Sequence, residues 1–286
     1  MLNALQYEFM RNALAAGILV SVACGIIGTY VVVNRIVFLA GGISHAAYGG
    51  IGLGIFLGAS PVAGAVSFSL VAALAMGVVS RRARQGVDIA IGIMWAMGMA
   101  LGIILIDMTP GYSADLMSYL FGSILAVPAS DIALMAALDA IIILTVVALY
   151  KEFLAISFDE EFALVVDAPV EALYLILLGL VALTAVMAMR VVGLILTIAL
   201  LTIPAAVSRQ FTAHLGRMMA LSSFLGAAFT LTGLWLSYAF DLTPGATIVM
   251  VSGAAFAVSS LWRALRRRRP GASSALAPSP PPSRPA

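Results

Sequence analysis

The chain of 286 residues is 63% hydrophobic and 10% charged, and its mean hydropathy is +1.11. Soluble domains carry about 25% charged residues, so this composition excludes a soluble globular protein and indicates a polytopic membrane protein. The net charge of +2 gives no indication of nucleic-acid binding, and Cys24, the only cysteine, excludes a disulfide framework.

The first half of the chain predicts four membrane-spanning helices, each of which needs about 20 apolar residues. After an N-terminal segment, 1–12, the predicted spans cover 13–34, 36–58, 61–81 and 87–106. The apolar segment 116–127 is too short to cross a bilayer, so we predict an interfacial or re-entrant helix there.

The second half predicts five further spans and a tail. The spans cover 132–150, 172–189, 191–207, 218–240 and 245–262, with Arg190 in a tight turn between the sixth and the seventh. The permease domain is thus predicted over 13–262. The tail 263–286 is basic and then rich in Pro and Ser, which predicts disorder.

Lysine and arginine predict the orientation, because they concentrate in cytoplasmic loops. Nine crossings put the main arginine clusters on one side, with the C-terminus cytoplasmic and the N-terminus outside; only Arg190 breaks this pattern. The clusters are Arg81, Arg82 and Arg84, then Arg209 and Arg217, then Arg263 and Arg266 to Arg269.

The polar segment 150–171 holds six of the thirteen acidic residues. Carboxylates are costly inside a bilayer, so this segment must face water. Phe153, Leu154, Phe158 and Phe162 interrupt the charges at helix-like spacing, which fits a short amphipathic helix at the membrane surface. A solvated loop is the alternative, and the regular alternation of acid and Phe favours a docking surface.

Enzyme motifs are missing from the sequence. The only lysine, Lys151, is followed by Glu152, so the chain has no GxxxxGK[ST] phosphate loop and cannot hydrolyse ATP by that route. The two histidines, His45 and His214, are far apart in the sequence, so the chain has no HExxH motif. The stretch Gly42 to Ala46 approaches a GxSxG elbow but ends in Ala and lies in a membrane helix. We predict no catalytic residues.

Two ionisable residues lie inside predicted spans and are candidate path residues. His45 lies near the middle of the second span, where an imidazole could contact a divalent metal or simply be a neutral histidine bonded to a neighbouring helix. Asp139 in the fifth span is either a buried polar contact or a second ligand. Glycines around His45, including Gly49, fit either tight helix packing or a narrow path.

Five stretches together resemble a known family. They are 35–50, which contains His45, then 118–125, 150–163, 192–206, which contains Pro204, and 242–248. In this order, across residues 9 to 262, they resemble the integral-membrane permeases of ABC importers for zinc, manganese or iron, the ZnuB-like family.

This resemblance implies an all-α type II permease fold, similar to the vitamin B12 importer, in a bacterial inner membrane. It implies a dimer, taken here as a homodimer, two cytoplasmic ATPase subunits that use ATP, an extracytoplasmic metal-binding protein, and no permanently bound cofactor. Zinc is the expected ion, with manganese or iron next. The family's coupling helix falls on 151–163, where Phe153, Phe158 and Phe162 would enter a groove on the ATPase, beside Asp159, Glu160 and Glu161.

One position departs from the family pattern. Many members carry Asp four residues before the motif histidine, whereas this chain has Gly41. Either another helix supplies an oxygen ligand, with Asp139 the candidate, or the path depends less on side chains. Two other functions stay open: an ATP-independent secondary carrier, and a permease of the same fold for a metal chelate such as a siderophore.

Overall fold

The computed structural model describes residues 6–82, 86–110, 122–165 and 167–267. Within these ranges the chain forms eleven α-helices and no strand, and a short 3₁₀ turn at Ile124–Ala126 precedes the fifth helix. The helices are α1 Glu8–Val33, α2 Val37–Phe56, α3 Pro61–Arg82, α4 Val87–Asp107, α5 Ala129–Ala148, α6 Tyr150–Phe158, α7 Glu160–Val165, α8 Val170–Val192, α9 Leu194–Arg209, α10 Leu215–Phe240 and α11 Pro244–Arg267.

Eight of these helices are long and apolar enough to cross a membrane, namely α1 to α5, α8, α10 and α11. The ninth apolar helix, α9, has 16 residues and a length of about 24 Å. Eight of the nine predicted spans thus correspond to helices long enough to cross, and the seventh corresponds to the shorter α9. The prediction of an all-α polytopic membrane protein is confirmed.

Several predicted boundaries need correction. Helix α8 continues through Arg190 to Val192, and the turn falls at Gly193, whose φ of 82° and ψ of 166° favour glycine. Helix α11 extends to Arg267, so the start of the predicted tail is helical, and α1 begins at Glu8, inside the predicted N-terminal segment. The predicted short helix 116–127 lies mostly outside the described residues, as does the tail beyond 267.

Two groups of helices make up the bundle. Helix α1 packs against α10, α9, α5 and α8, while α2 lies between α3 and α4 and also contacts α8 and α9. Glycines allow the α2 contacts: a Cβ on Gly50 would lie 2.2 Å from the carbonyl oxygen of Gly64, and one on Gly52 would lie 2.3 Å from that of Gly102. Glycines of α2 therefore let these backbones approach closely, which fits the tight-packing interpretation of the sequence.

The two ends of the bundle differ in charge. At one end, which we call the arginine-rich end, Asn34 Nδ2 after α1 donates to Ser157 Oγ of α6 at 3.1 Å. Arg209 of α9 donates to the Val32 carbonyl of α1 at 3.1 Å. The basic residues that the helix ends place there are Arg35, Arg81, Arg82, Lys151, Arg209, Arg217, Arg263 and Arg266.

At the opposite end an ion pair explains the exception to the arginine pattern. Arg190, in the last turn of α8, pairs with Asp131 in the first turn of α5, with Nε 3.0 Å from Oδ2. The charge of Arg190 is therefore neutralised by a neighbouring helix. Near this pair, Asn12 donates to the carbonyl of Val127 at 3.3 Å, which joins α1 to the segment before α5.

Candidate functional site

His45 lies in the middle of α2 and is 8% exposed. Its Nδ1 is 2.9 Å from the carbonyl oxygen of Gly41, one turn earlier in the same helix. Its ring lies against the indole of Trp95 on α4, with ring centroids 4.2 Å apart and planes inclined at 38°. The hydrogen bond thus stays within α2, and the contact with a neighbouring helix is aromatic.

Gly41 marks a close approach between α2 and α9. A Cβ at this position would lie 2.8 Å from Cδ1 of Ile198 on α9. A side chain here would have to displace Ile198, whereas glycine allows α9 to pack closely beside the turn that carries His45.

Gly49 packs against two helices. A Cβ on Gly49 would lie 2.7 Å from the carbonyl oxygen of Gly98 on α4 and 3.0 Å from the ring of Phe68 on α3. These distances give the glycines of α2 a packing role. The part of Gly49 in a translocation path stays a prediction.

Asp139 lies in α5 and is 4% exposed. Its Oδ1 is buried and has no hydrogen-bond partner among the described residues, and the helix that carries it packs against α1. No hydrogen bond or ion pair among the described residues joins Asp139 to His45. The two residues lie against different helices, Asp139 against α1 and His45 against α4.

Pro204 lies inside α9 and is buried. Proline has no backbone N–H, so the carbonyl of Leu200 loses its partner within the helix. The same helix carries Ile198, which contacts Gly41. Pro204 therefore interrupts the backbone hydrogen bonding of the helix that packs beside the His45 turn.

The described residues contain no group of three or more His, Cys, Asp and Glu side chains that could hold a metal ion. His45 is thus a single imidazole on a helix whose neighbours are glycine backbone and an aromatic ring.

At the arginine-rich end, α6 and α7 cover residues 150–158 and 160–165 of the polar segment, and we call these two helices, together with Asp159 between them, the hairpin. Asp159 separates them, and its Oδ1 accepts the backbone N–H of Phe162 at 2.9 Å, as a helix N-cap does. Of the two interpretations of this segment, an amphipathic helix and a solvated loop, the structure is closer to the amphipathic helix. Large apolar side chains are exposed on the hairpin: Phe158 at 62%, Phe162 at 57%, Leu164 at 58% and Val165 at 81%.

Phe153 corrects a prediction, because it does not face outward. It is 0% exposed and packs edge-on against Tyr30 of α1, with ring centroids 5.4 Å apart. Helix α6 starts directly after α5, so its first turn rests on the end of α1. Phe153 therefore anchors the hairpin to the bundle and cannot enter a groove on another subunit.

Glu160 also faces the bundle. It forms an ion pair with Arg81 in the last turn of α3, and the guanidinium of Arg81 lies 4.5 Å above the ring of Tyr174 on α8. The hydroxyl groups of Ser80 and Tyr174 are 3.3 Å apart. Of the predicted coupling residues, Phe158, Glu161 and Phe162 remain exposed without such a tie, while Asp159 caps α7 and Glu160 binds α3.

The profile of the ABC 3 transport family matches residues 6–263, which include the His45 helix, the hairpin and all nine apolar helices. The chain belongs to the ABC 3 transport family. This membership confirms the resemblance to metal ABC permeases that the five sequence stretches indicated, and the chain is a multi-pass membrane protein.

Two relatives and one solved structure match nearly the whole length of this chain. An uncharacterised membrane protein of Synechocystis sp. is 56% identical over 263 residues, 92% of this chain and 94% of that protein. The manganese transport system membrane protein MntC of Listeria monocytogenes is 38% identical and covers 90% of this chain and 92% of its own length. The structure of PsaBC from Streptococcus pneumoniae in complex with a Fab has a TM-score of 0.83 at 35% identity, covering 90% of this chain and 93% of that one.

For this ABC 3 family member, sequence reasoning missed the partners of the predicted residues. Trp95 contacts His45, and Arg81 pairs with Glu160 from 79 positions away. An aromatic residue in an apolar span and an arginine at a span end are common, so no pattern in the sequence singles them out. Only the packing of α2 on α4, and of the hairpin beside α3, brings each pair together.

Proposed function

We propose that this chain is the membrane-spanning permease of an ATP-driven importer for a divalent transition-metal ion. The observation that carries the proposal is the single family match across the His45 helix, the hairpin and all nine apolar helices. The chain is then a transport subunit without catalytic activity of its own.

The hairpin is the proposed docking surface for the ATPase. The sequence has no phosphate loop, which supports placing ATP hydrolysis on separate subunits. Phe158 and Phe162 offer exposed apolar rings beside carboxylates, at the end of the bundle where basic residues collect. Basic residues concentrate on the cytoplasmic side, which favours placing the hairpin and the C-terminus in the bacterial cytoplasm.

The complete importer contains further proteins. We propose two copies of this chain, two cytoplasmic ATPase subunits and an extracytoplasmic protein that delivers the ion to the end of the bundle that carries Arg190 and Asp131. The relatives support a system of several proteins, since MntC is the membrane protein of a manganese transport system.

Manganese is the ion that the relatives favour, ahead of zinc, which the sequence analysis placed first. We propose that His45 contacts the ion transiently, along a path beside Gly49 and the Pro204 helix, with Asp139 as a separate buried carboxyl group. A single imidazole binds a divalent ion weakly, which suits a path that the ion must leave.

Uptake by cells that lack the native importer tests this function. Cells that express the whole assembly should accumulate Mn²⁺ faster than cells with an ATPase subunit inactivated in its phosphate loop, and Zn²⁺ and Fe²⁺ measured in parallel define the selectivity. Uptake that persists with the inactive ATPase would instead favour a secondary carrier. Uptake of a siderophore-bound metal but not of the free ion would favour a chelate permease.

A further inference from the structure

A second charged surface lies at the arginine-rich end, where α9 ends beside the last turns of α11. We call it the basic corner and define it by Arg209, Gln210, Ser260, Trp262, Arg263 and Arg266. Gln210 Nε2 donates to Ser260 Oγ at 3.0 Å, and the ring centroids of Phe211 and Trp262 are 6.3 Å apart. These contacts hold the two helix ends together and are independent of the hairpin and of the His45 helix.

No ion pair within the described ranges neutralises the positive charge of the basic corner. Asp241, at the other end of the bundle, is the only acidic residue from Ala172 to the C-terminus. Neither of the ion pairs in the described ranges involves Arg209, Arg263 or Arg266. The guanidinium of Arg266 lies 3.9 Å above the ring of Trp262, which fixes its position without reducing its charge.

A small hollow opens within the basic corner. Gln210, Ser260, Arg263 and Ala264 line it, and its volume is about 340 Å³. One end of the Gln210 amide binds Ser260, whereas the other end, Oε1, is buried and has no partner in the described structure. The hollow therefore places a cation beside a glutamine whose acceptor oxygen is unused.

The surroundings of the hollow are those of a bilayer interface. Helix α11 is the least buried of the spans, and large apolar side chains continue along its outer face up to the arginines, including Val258, Leu261 and Leu265. Trp262 is 45% exposed, and tryptophan is enriched at the level of lipid headgroups. Clusters of arginine directly after a span attract anionic lipids.

We propose that the basic corner binds the headgroup of an anionic phospholipid that carries hydroxyl groups, as phosphatidylglycerol does. The phosphate accepts hydrogen bonds from Arg263 and Arg266, since guanidinium groups match phosphate oxygens in geometry and charge. A headgroup hydroxyl donates to Gln210 Oε1 after the amide has turned this buried oxygen toward the hollow. The acyl chains lie along the exposed apolar face of α11.

Native mass spectrometry of the purified full-length chain, titrated with single lipids, tests this proposal. The wild-type chain should bind phosphatidylglycerol roughly tenfold more tightly than phosphatidylcholine, a ratio expected for one or two well-placed arginines. The double variant Arg263→Gln/Arg266→Gln should lose this preference. Gln210→Leu should lower the affinity for phosphatidylglycerol but not for phosphatidic acid, which lacks the headgroup hydroxyls.

The matched control is Arg35→Gln/Arg82→Gln, which removes two exposed cations from the same end of the bundle but outside the basic corner. It should keep the lipid preference, and all variants should retain the wild-type unfolding temperature. If the control lost the lipid preference equally, net charge alone would explain the effect and the proposed site would be wrong. Displacement of the lipid by millimolar inorganic phosphate would assign the site to a soluble anion instead.

Two further outcomes would also overturn the proposal. One is an unchanged preference for phosphatidylglycerol in Arg263→Gln/Arg266→Gln. The other is loss of co-purified ATPase subunit in that variant while lipid binding persists, which would assign the basic corner to a protein partner. None of these measurements depends on which metal the chain transports.

Discussion

At the scale of single residues, glycine decides how closely α2 can pack. Backbone atoms of α3 and α4 occupy the space in which Gly50 and Gly52 would carry a Cβ, whereas at Gly41 the obstacle is only the flexible end of Ile198. Backbone cannot move aside as a side-chain terminus can, so the cost of a methyl group depends on what it meets.

Gly50→Ala should therefore destabilise the protein, by about 1–3 kcal/mol, because overpacking forces the backbones of α2 and α3 apart. Thermal unfolding of the purified protein in detergent should show a midpoint several degrees lower. Gly92→Ala is the control, since nothing lies within 4 Å of a Cβ at that position, and its midpoint should not fall. Equal midpoints for the two variants would contradict this account of the packing.

Alanine substitutions at Phe153 and Phe158 should affect different properties, protein stability in the first case and ATP-driven uptake in the second. Phe153→Ala removes a fully buried ring and should cost about 3–5 kcal/mol of stability, visible as reduced yield and a lower unfolding temperature. Phe158→Ala removes an exposed ring and should leave stability unchanged, but it should abolish ATP-driven uptake. If Phe158→Ala transported at the wild-type rate, the hairpin would not be the docking surface.

The sequence could predict residue types at this scale but not their orientation. The spacing of Phe153, Phe158 and Phe162 indicated an amphipathic helix, but the segment forms two helices with a break at Asp159. The break and the proximity of Tyr30 turn Phe153 inward and leave the other two rings outside. A periodicity argument assumes one continuous helix, so it could not separate the buried ring from the exposed ones.

At the scale of elements, the hairpin is fixed to two different helices. Helix α6 is tied to α1 by Phe153 and by Ser157, and α7 is tied to α3 by Glu160 and Arg81. Helix α3 packs in turn on α2, which carries His45. Force applied to α7 can therefore reach the His45 helix through α3.

A charge reversal tests this link. Arg81→Glu or Glu160→Arg alone should reduce ATP-driven uptake roughly tenfold, because like charges would then face each other, while Arg81→Glu/Glu160→Arg should restore most of it. An exposed ion pair contributes about 0–1 kcal/mol, so the unfolding temperature should hardly change in any of the three. A double variant no better than the worse single variant would exclude the pair from coupling.

The neighbouring pair Arg82 and Glu161 serves as the matched control, because no ion pair joins them in the described structure. Reversing both of their charges should not produce a rescue pattern. The sequence predicted the span 61–81, which ends at these arginines, and the polar segment 150–171, which carries these glutamates. It could not predict the pairing of α3 with the hairpin, since side-chain contacts between distant segments depend on how the helices assemble.

At the scale of the whole molecule, the charges of the two ends define a topology. The described arginines of the three clusters lie at one end, and the Asp131 pair accounts for Arg190 at the other. This arrangement was predictable because span length and arginine position are properties of sequence. The turn at Gly193 was missed because Arg190 looked like a span end, whereas its charge is neutralised within the bundle.

Thiol labelling checks the orientation. Cys24 is the only cysteine and is buried, so the native chain should react little with a membrane-impermeant maleimide. In intact cells Asp241→Cys should be labelled, whereas Glu161→Cys should be labelled only after the membrane is opened. Labelling of Glu161→Cys in intact cells would place the hairpin outside and remove the basis for ATPase docking.

The unpaired charge at the arginine-rich end has a kinetic consequence. The arginines at the ends of α9 and α11 form no ion pair in the described ranges, and Arg82 at the end of α3 is exposed. Unpaired charge of this kind attracts a complementary protein before contact, and such electrostatic steering speeds association and weakens with ionic strength. Association with a complementary subunit should therefore slow as the salt concentration rises.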